Sequence, residues 1–334
     1  MSTPQRRKYI IGVDLGGTNI VSAAMTEDGS EIHAVRSIPT KSESGDEGVA
    51  GRMVALVEEV MAETERETGA TRQDFIGVGV GAPGPLDREH GIVLIAPNLG
   101  WHNFPLRQRM QDRLSLPTSL DNDANCATFG EWWQGAARGA RNVVGLTIGT
   151  GIGGGLILNG ALYHGSSDMA GEVGHTTIDM NGRYCKCGNY GCLEAYASGP
   201  AIATRAREVL VREGMKSAIR DMVGGRLEAI TAQTVYEAAK GGDQLASEIV
   251  RDTGRYLGAG VANLLNIFNP DRVVIAGGVT AAGDALFLPL KAEVRRRAFT
   301  PAVNAAAIVA GELPGTAGVV GAVASFKQQH LGSV

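Results

Sequence analysis

Apolar residues recur along the chain in short continuous runs closed by glycine-rich turns, separated by longer stretches where they fall three and four positions apart. The first run, Ile10–Met25, reads IIGVDLGGTNIVSAAM: an apolar strand, a glycine/threonine turn, and a second strand, with Glu27-Asp28-Gly29 turning into a third. Val143–Leu158, VVGLTIGTGIGGGLIL, aligns with it without gaps at a shift of 133 residues, followed by Asn159-Gly160. Asp-Gly or Asn-Gly between apolar runs is a strong hairpin signal. The two segments read as the first hairpins of two related α/β lobes, with chance likeness of two glycine-rich hairpins as the alternative. Val54, Leu56, Val57, Val60 and Met61 suit a helix over Val49–Thr68. Phe75–Gly81 is a short buried strand ending in the turn Ala82-Pro83-Gly84-Pro85, Thr118–Leu120 is another strand, and Asp123–Trp133 is the helix after it. Further on, Tyr256, Leu257, Val261, Leu264, Leu265 and Phe268 form the apolar side of a long helix, Leu245–Phe268. It stops at Asn269-Pro270, and the strand Arg272–Ala276 stops at Gly277-Gly278. A last helix, Thr316–Gln329, is expected to pack back on the first lobe. The lobes are expected as 1–121 with 316–334, and 122–315, with the boundary near Leu120–Asp123.

Length agrees with two lobes: 334 residues, 44% of them hydrophobic, exceed what a single core of about 250–300 residues usually holds. A net charge of −4 argues against nucleic acid as the main partner. The polar stretch Met1–Lys8 has no apolar signal-peptide core behind it, and no run of about 18 apolar residues suggests a membrane span. The expectation is a soluble, cytoplasmic protein. Of four cysteines, Cys185, Cys187 and Cys192 lie within eight residues, which in a cytosolic chain reads as metal binding. Cys126 reads as a small core residue.

In each hairpin the glycines let a phosphate approach backbone N–H groups closely. Gly16-Gly17-Thr18-Asn19 adds a hydroxyl and an amide, and Gly149-Thr150-Gly151 with Gly153–Gly155 does the same in the second lobe. Neither is a P-loop, since the Gly-Lys-Ser/Thr ending is missing, and neither opens directly into a helix. Asp14 ends a buried strand; it either caps the local turn or serves a cation such as Mg²⁺.

Asp14-Leu15-Gly16-Gly17-Thr18 resembles the first phosphate motif of the sugar kinase/Hsp70/actin superfamily. Thr147-Ile148-Gly149-Thr150-Gly151 resembles its second, and Ile275-Ala276-Gly277-Gly278 its adenosine motif. Leu146–His175, continuing into Cys185-x-Cys187-Gly188-x-x-Gly191-Cys192-x-Glu194, resembles the ROK family (repressors, open reading frames, kinases). One departure is Asn19, where many ROK glucokinases carry Lys. The resemblance implies a two-lobed, actin-like (ribonuclease H-like) α/β fold with a duplicated lobe and an interlobe cleft. Asp14, Gly16, Gly17, Thr18, Asn19, Thr147, Gly149, Thr150, Gly151, Gly277 and Gly278 are then the nucleotide-binding residues.

His175, Cys185, Cys187 and Cys192 offer one imidazole and three thiolates, a complete tetrahedral set for a structural Zn²⁺, with Gly188 and Gly191 letting the chain curl between thiols. Reduced free thiols beside an unrelated His are the alternative. A zinc-bound imidazole keeps one nitrogen free, and folding this loop brings Glu172 and Glu194 near it, a set suited to a polyhydroxylated ligand. The resemblance assigns Glu172, His175 and Glu194 to sugar binding. In Leu120-Asp121-Asn122-Asp123-Ala124-Asn125, some residues would cap the helix in any case; the resemblance makes Asn122 a sugar ligand and Asp123 the general base. Gly84 and Asn98, in the loops Gly81–Pro85 and Ala96–Trp101, are further sugar-side candidates.

The activity so implied is ATP- and Mg²⁺-dependent phosphorylation of a hexose 6-hydroxyl, with glucose foremost and N-acetylmannosamine, N-acetylglucosamine, mannose and fructose as alternatives. A non-enzymatic, sugar-sensing regulator is the reading of a different class. Such regulators carry a winged helix-turn-helix before the first phosphate motif, and only nine residues precede Ile10 here. The resemblance also implies a homodimer or homotetramer.

Overall fold

A computed structural model of the chain describes residues 7–213 and 216–334, so part of the polar N-terminal stretch (residues 1–6) lies outside the described residues. The first repeat folds as the hairpin pattern predicts. β1 (Tyr9–Leu15) and β2 (Asn19–Thr26) pair antiparallel with Leu15 opposite Ile20, and β3 (Ile32–Pro39) extends the pair. After helix α1 (Gly45–Thr68) come β4 (Phe75–Ala82), a small antiparallel sheet of β5 (Leu86–Asp87), β6 (Ile92–Ala96) and β7 (Trp101–Phe104), then α2 (Leu106–Leu114) and β8 (Thr118–Asn122). β4 and β8 join the first sheet parallel to β1, giving the order β3-β2-β1-β4-β8.

The second repeat yields β9 (Val143–Ile148), β10 (Ile152–Leu158) and β11 (Ala161–Leu162), to which β12 (Arg272–Ala276) and β13 (Ala307–Ala310) are added in the order β11-β10-β9-β12-β13. The two orders match strand for strand, so the repeat in the sequence is a repeat of topology and the fold is the actin-like α/β fold. The turn at Asn159-Gly160 has positive φ at both residues, which the hairpin signal anticipates.

Two compact units result. One holds the chain up to Gly139 with Gly155–Gly171 and Glu312–Val334; the other holds Ala140–Gly154 and Glu172–Gly311. Helix α3 (Asp123–Gln134), expected to open the second lobe, belongs to the first unit because it packs along the last helix, α11 (Ala317–His330). Alternation along β1 explains this unit's two cores. Ile11, Val13 and Leu15 face α1 and α2, where Val49, Met53, Leu56, Val57, Val60 and Met61 are buried; Ile10 faces α11 with Val320, Val323 and Phe326. Helix α11 meets the sheet at backbone distance: a Cβ on Gly79 would stand 1.9 Å from the Ala322 carbonyl oxygen. Trp101 is fully buried against Phe104 and belongs to the core on the α1 side.

In the second unit the helices are α4 (Glu194–Ala197), α5 (Gly199–Glu213), α6 (Ala218–Met222), α7 (Ala232–Lys240), α8 (Gln244–Phe268), α9 (Asp284–Arg297) and α10 (Thr300–Ala305). The Asp243 side chain caps α8 by accepting from the Ala246 N–H, and Asn269 ends it in the left-handed region at φ 44°. Leu257, Val261, Leu264 and Leu265 are buried as its pattern requires, whereas Tyr256 and Phe268 are half-buried. Of Arg295-Arg296-Arg297, the last two are ion-paired with the buried Glu293. Among the described residues no helix is long and apolar enough to cross a membrane.

Candidate active site

In the first unit the parallel strands β1, β4 and β8 finish in register, Asp14 opposite Gly81 and Gly81 opposite Asp121. Ligands of α/β sheets gather at such carboxyl ends. Asn122, the last residue of β8, caps α3: its Oδ1 accepts from the N–H groups of Ala124 at 2.9 Å and Asn125 at 3.2 Å. Its Nδ2 lies 3.4 Å from the Gly84 carbonyl oxygen, a long contact that leaves the second amide hydrogen for a ligand. Asp123 opens α3 with its Oδ1 accepting from the Ala124 N–H at 2.8 Å. The capping reading of the Asp-Asn-Asp run is thus met by Asn122 and Asp123, and the same two residues stand at the carboxyl ends of the strands. Gly84 sits at φ 88° with the Ile95 carbonyl oxygen where a Cβ would be, and the Gly17 backbone lies against the Asn98 side chain. The turn Gly16–Asn19 is closed by a Gly16 N–H to Asn19 carbonyl bond of 2.9 Å, and Gly17, Thr18 and Asn19 are exposed.

Asp14 projects to the α11 face, where it lies against the Gly318 backbone. Burial, and after it the charge of Asp123, push its carboxyl from the ordinary 3.8 up to about 7. The raised value fixes a sign. Between about pH 4 and 7 the folded chain keeps a proton that the unfolded chain has released, so stability falls as pH rises through that window. Asp14→Asn is expected to remove that loss. In chelator, its Tm at pH 8 should exceed the wild type's by at least about 2 °C, and the two should converge near pH 4. Thermal denaturation at both pH values checks this.

In the second unit β9 and β12 are parallel, with Thr147 opposite Ala276. Gly149-Thr150-Gly151 and Gly277-Gly278 thus leave the sheet side by side. Gly277, at φ 96°, presses on the Ile148 carbonyl, and the Gly149 carbonyl accepts from the Gly199 N–H at 2.9 Å. The turn is also bound to Glu194, whose Oε2 accepts from the Ile152 N–H at 2.9 Å while the Cys185 thiol approaches Oε1 at 3.7 Å.

The ligand atoms of His175, Cys185, Cys187 and Cys192 all lie within 4.8 Å of one another. Cys187 and Cys192 Sγ are 3.7 Å apart; thiolates at about 2.3 Å from a tetrahedral Zn²⁺ would be about 3.8 Å apart. His175 turns Nδ1 to Cys185 Sγ at 3.8 Å and Nε2 to Glu172 at 4.0 Å, which leaves Nε2 for a second partner when Nδ1 ligates. Burial pushes the Cys185 thiol up to about 12 and raises that of Cys192, a cost of ionisation that a bound cation would offset. Gly191, at φ 74°, has the Asp179 carbonyl oxygen 1.7 Å from where a Cβ would stand, so the curl of this loop needs glycine there. The donor set fits zinc.

Arg88 and His164 carry no motif that marks them in the sequence. They converge on Asp121, directly before Asn122, from positions far apart in the chain. The one signal for them was an acid at the end of a buried strand.

Residues 10–329 match the model of the ROK family. The chain is 38% identical over 326 residues to a glucokinase of Halalkalibacterium halodurans, covering 97% of this chain and 96% of that one. It is 33% identical over 318 residues to a xylose repressor of Caldicellulosiruptor bescii, covering 94% of this chain and 77% of the repressor. Among solved structures it is similar to a ROK family glucokinase from Streptomyces griseus in complex with glucose and AMPPNP, with a TM-score of 0.81, 33% identity, and 94% and 98% of the two chains covered.

Proposed function

The chain belongs to the ROK family, and we propose that it acts as an ATP-dependent hexokinase that phosphorylates the 6-hydroxyl of glucose. The observation that carries this reading is the pair Asn122-Asp123 at the carboxyl end of β8, beside Asp14 and the Gly16–Asn19 turn, in a chain that matches glucokinases over almost its full length. The AMPPNP and glucose bound by the Streptomyces griseus relative support ATP and glucose as the substrates.

Asp123 takes the proton of the 6-hydroxyl as its oxygen forms the new bond to the γ-phosphorus, while the bond from that phosphorus to the departing ADP oxygen breaks. Phosphoryl transfer asks mainly for alignment, so an ordinary carboxylate is basic enough. The N-terminus of α3 favours its ionised form. Asn122 orients a sugar hydroxyl with its remaining amide hydrogen, and Gly84 and Asn98 complete this side. The Gly16–Asn19 turn, the Thr147 and Gly149–Gly151 turn, and Gly277-Gly278 offer backbone N–H groups and hydroxyls to the nucleotide. Asp14 would hold Mg²⁺, which supplies the positive charge that lets Asp14 and Asp123 be ionised together. In the second unit, His175 Nε2 and the carboxylates of Glu172 and Glu194 take the sugar-binding role, and the zinc set His175, Cys185, Cys187 and Cys192 keeps them in shape. A homodimer or homotetramer in the cytoplasm belongs to the same reading.

ADP release measured across glucose, mannose, fructose, N-acetylglucosamine and N-acetylmannosamine tests it. Glucose is expected to give the highest kcat/KM, by at least about tenfold, the discrimination that one well-placed hydrogen bond provides. Hexose-independent ADP release, or none with any sugar, would overturn the reading.

A further inference from the structure

Directly beneath Asn122-Asp123, the Asp121 carboxylate is 1% exposed and surrounded by donors. Its Oδ1 accepts from the Asn122 N–H at 2.8 Å, with Asn125 Nδ2 at 3.4 Å. Its Oδ2 receives His164 Nε2 at 3.0 Å, Ser325 Oγ at 3.0 Å and Arg88 Nη2 at 3.2 Å. Against a carboxylate, His164 must donate from Nε2. Burial alone would raise the Asp121 carboxyl, but the hydrogen bond and charge of His164 and the charge of Arg88 hold it below the ordinary range.

Arg88 is gripped a second time. Its backbone N–H donates to Asp168 Oδ2 at 3.3 Å, and its Nη1 stands 3.5 Å from Asp168 Oδ1. Four stretches of one unit thus meet at one carboxylate: the turn after β5, the end of β8, residues 164–168 after β11, and α11. An apolar cluster of the same volume would stabilise such a junction as well as a buried ion network does. What the network adds is direction. With Asn122 N–H tied to Asp121 and the Asn122 side chain tied to the start of α3, the peptide carrying Asp123 has little freedom to turn.

We propose that His164 and Arg88 are positioning residues that act through Asp121 to aim the Asp123 carboxylate at the attacking hydroxyl. The inference rests on the hexokinase reading. The test is steady-state kinetics of His164→Leu and His164→Gln beside the wild type, well below each protein's Tm. Misplacing a catalytic group by about 1 Å costs on the order of 10²-fold. His164→Leu is expected to lower kcat by about 10–100-fold with KM for ATP within about twofold, and His164→Gln, which keeps an N–H donor, to recover most of it. If His164→Leu does not fold, Arg88→Lys keeps the charge but not the fork that reaches Asp121 and Asp168 together, and the same split is expected. An unchanged kcat in an active protein, or equal losses in the Leu and Gln variants, would show a mere brace and overturn the positioning role alone. A wild type without hexose-dependent ADP release would overturn the hexokinase reading, and the positioning role with it.

Discussion

Asp123→Ala is expected to bind glucose as the wild type does and to lose about 10²–10⁴-fold in kcat, the usual cost of removing a positioned acid/base group. The geometry makes the outcome diagnostic. Helix α3 keeps its main cap in the variant, because Asn122 Oδ1 accepts the Ala124 and Asn125 N–H groups whether or not Asp123 is present. Asp123 adds a bond of its own to the Ala124 N–H. The variant should therefore fold, and calorimetry with glucose and single-turnover phosphorylation can be compared directly. Retention of more than roughly a tenth of wild-type kcat would reduce Asp123 to a helix-terminal residue. Loss of the charge should also draw the Asp14 carboxyl down from about 7, since Asp123 is one of the two causes that raise it.

The second large effect concerns metal. Elemental analysis after dialysis is expected to find one zinc per chain, and Cys187→Ser to lose it. Cys187 is the exposed member of the set, whereas Cys185 and Cys192 are buried, so this substitution removes a ligand without opening a cavity. Structural zinc contributes on the order of 10 kcal/mol in small zinc domains. If only half of that is felt here, Tm falls by roughly 7 °C. Weakened sugar binding should accompany it, because His175 and Glu194 share the loop. A metal-free preparation with full activity and unchanged Tm would remove zinc from the account.

The parts legible in the sequence are those written in consecutive residues. The hairpins at Ile10 and Val143 showed because strand, turn and strand follow without interruption, and the thiolates showed because they lie within eight residues. The sheet β5–β7 did not show: its strands are two, five and four residues long, and proline, glycine and asparagine between them read as loop. The Asp121 junction was illegible for another reason. Its partners stand at positions 88, 164 and 325, and nothing local to Arg88, His164 or Ser325 distinguishes them from surface polar residues. The Asp-Asn-Asp run was legible as two alternatives, and the structure gives Asn122 the capping task without taking its last amide hydrogen.

Helix α11 has a consequence for biosynthesis. It covers Asp14 through Gly318, reaches Asp121 through Ser325, and seals the face of β1 that carries Ile10. It is also translated after every strand of both sheets. At about 5–20 residues per second, the ribosome takes roughly 15–60 s to pass from β1 to this helix. Until α11 emerges, the nascent chain has one apolar sheet face uncovered and the Asp14 and Asp121 carboxylates without the helix that closes over them.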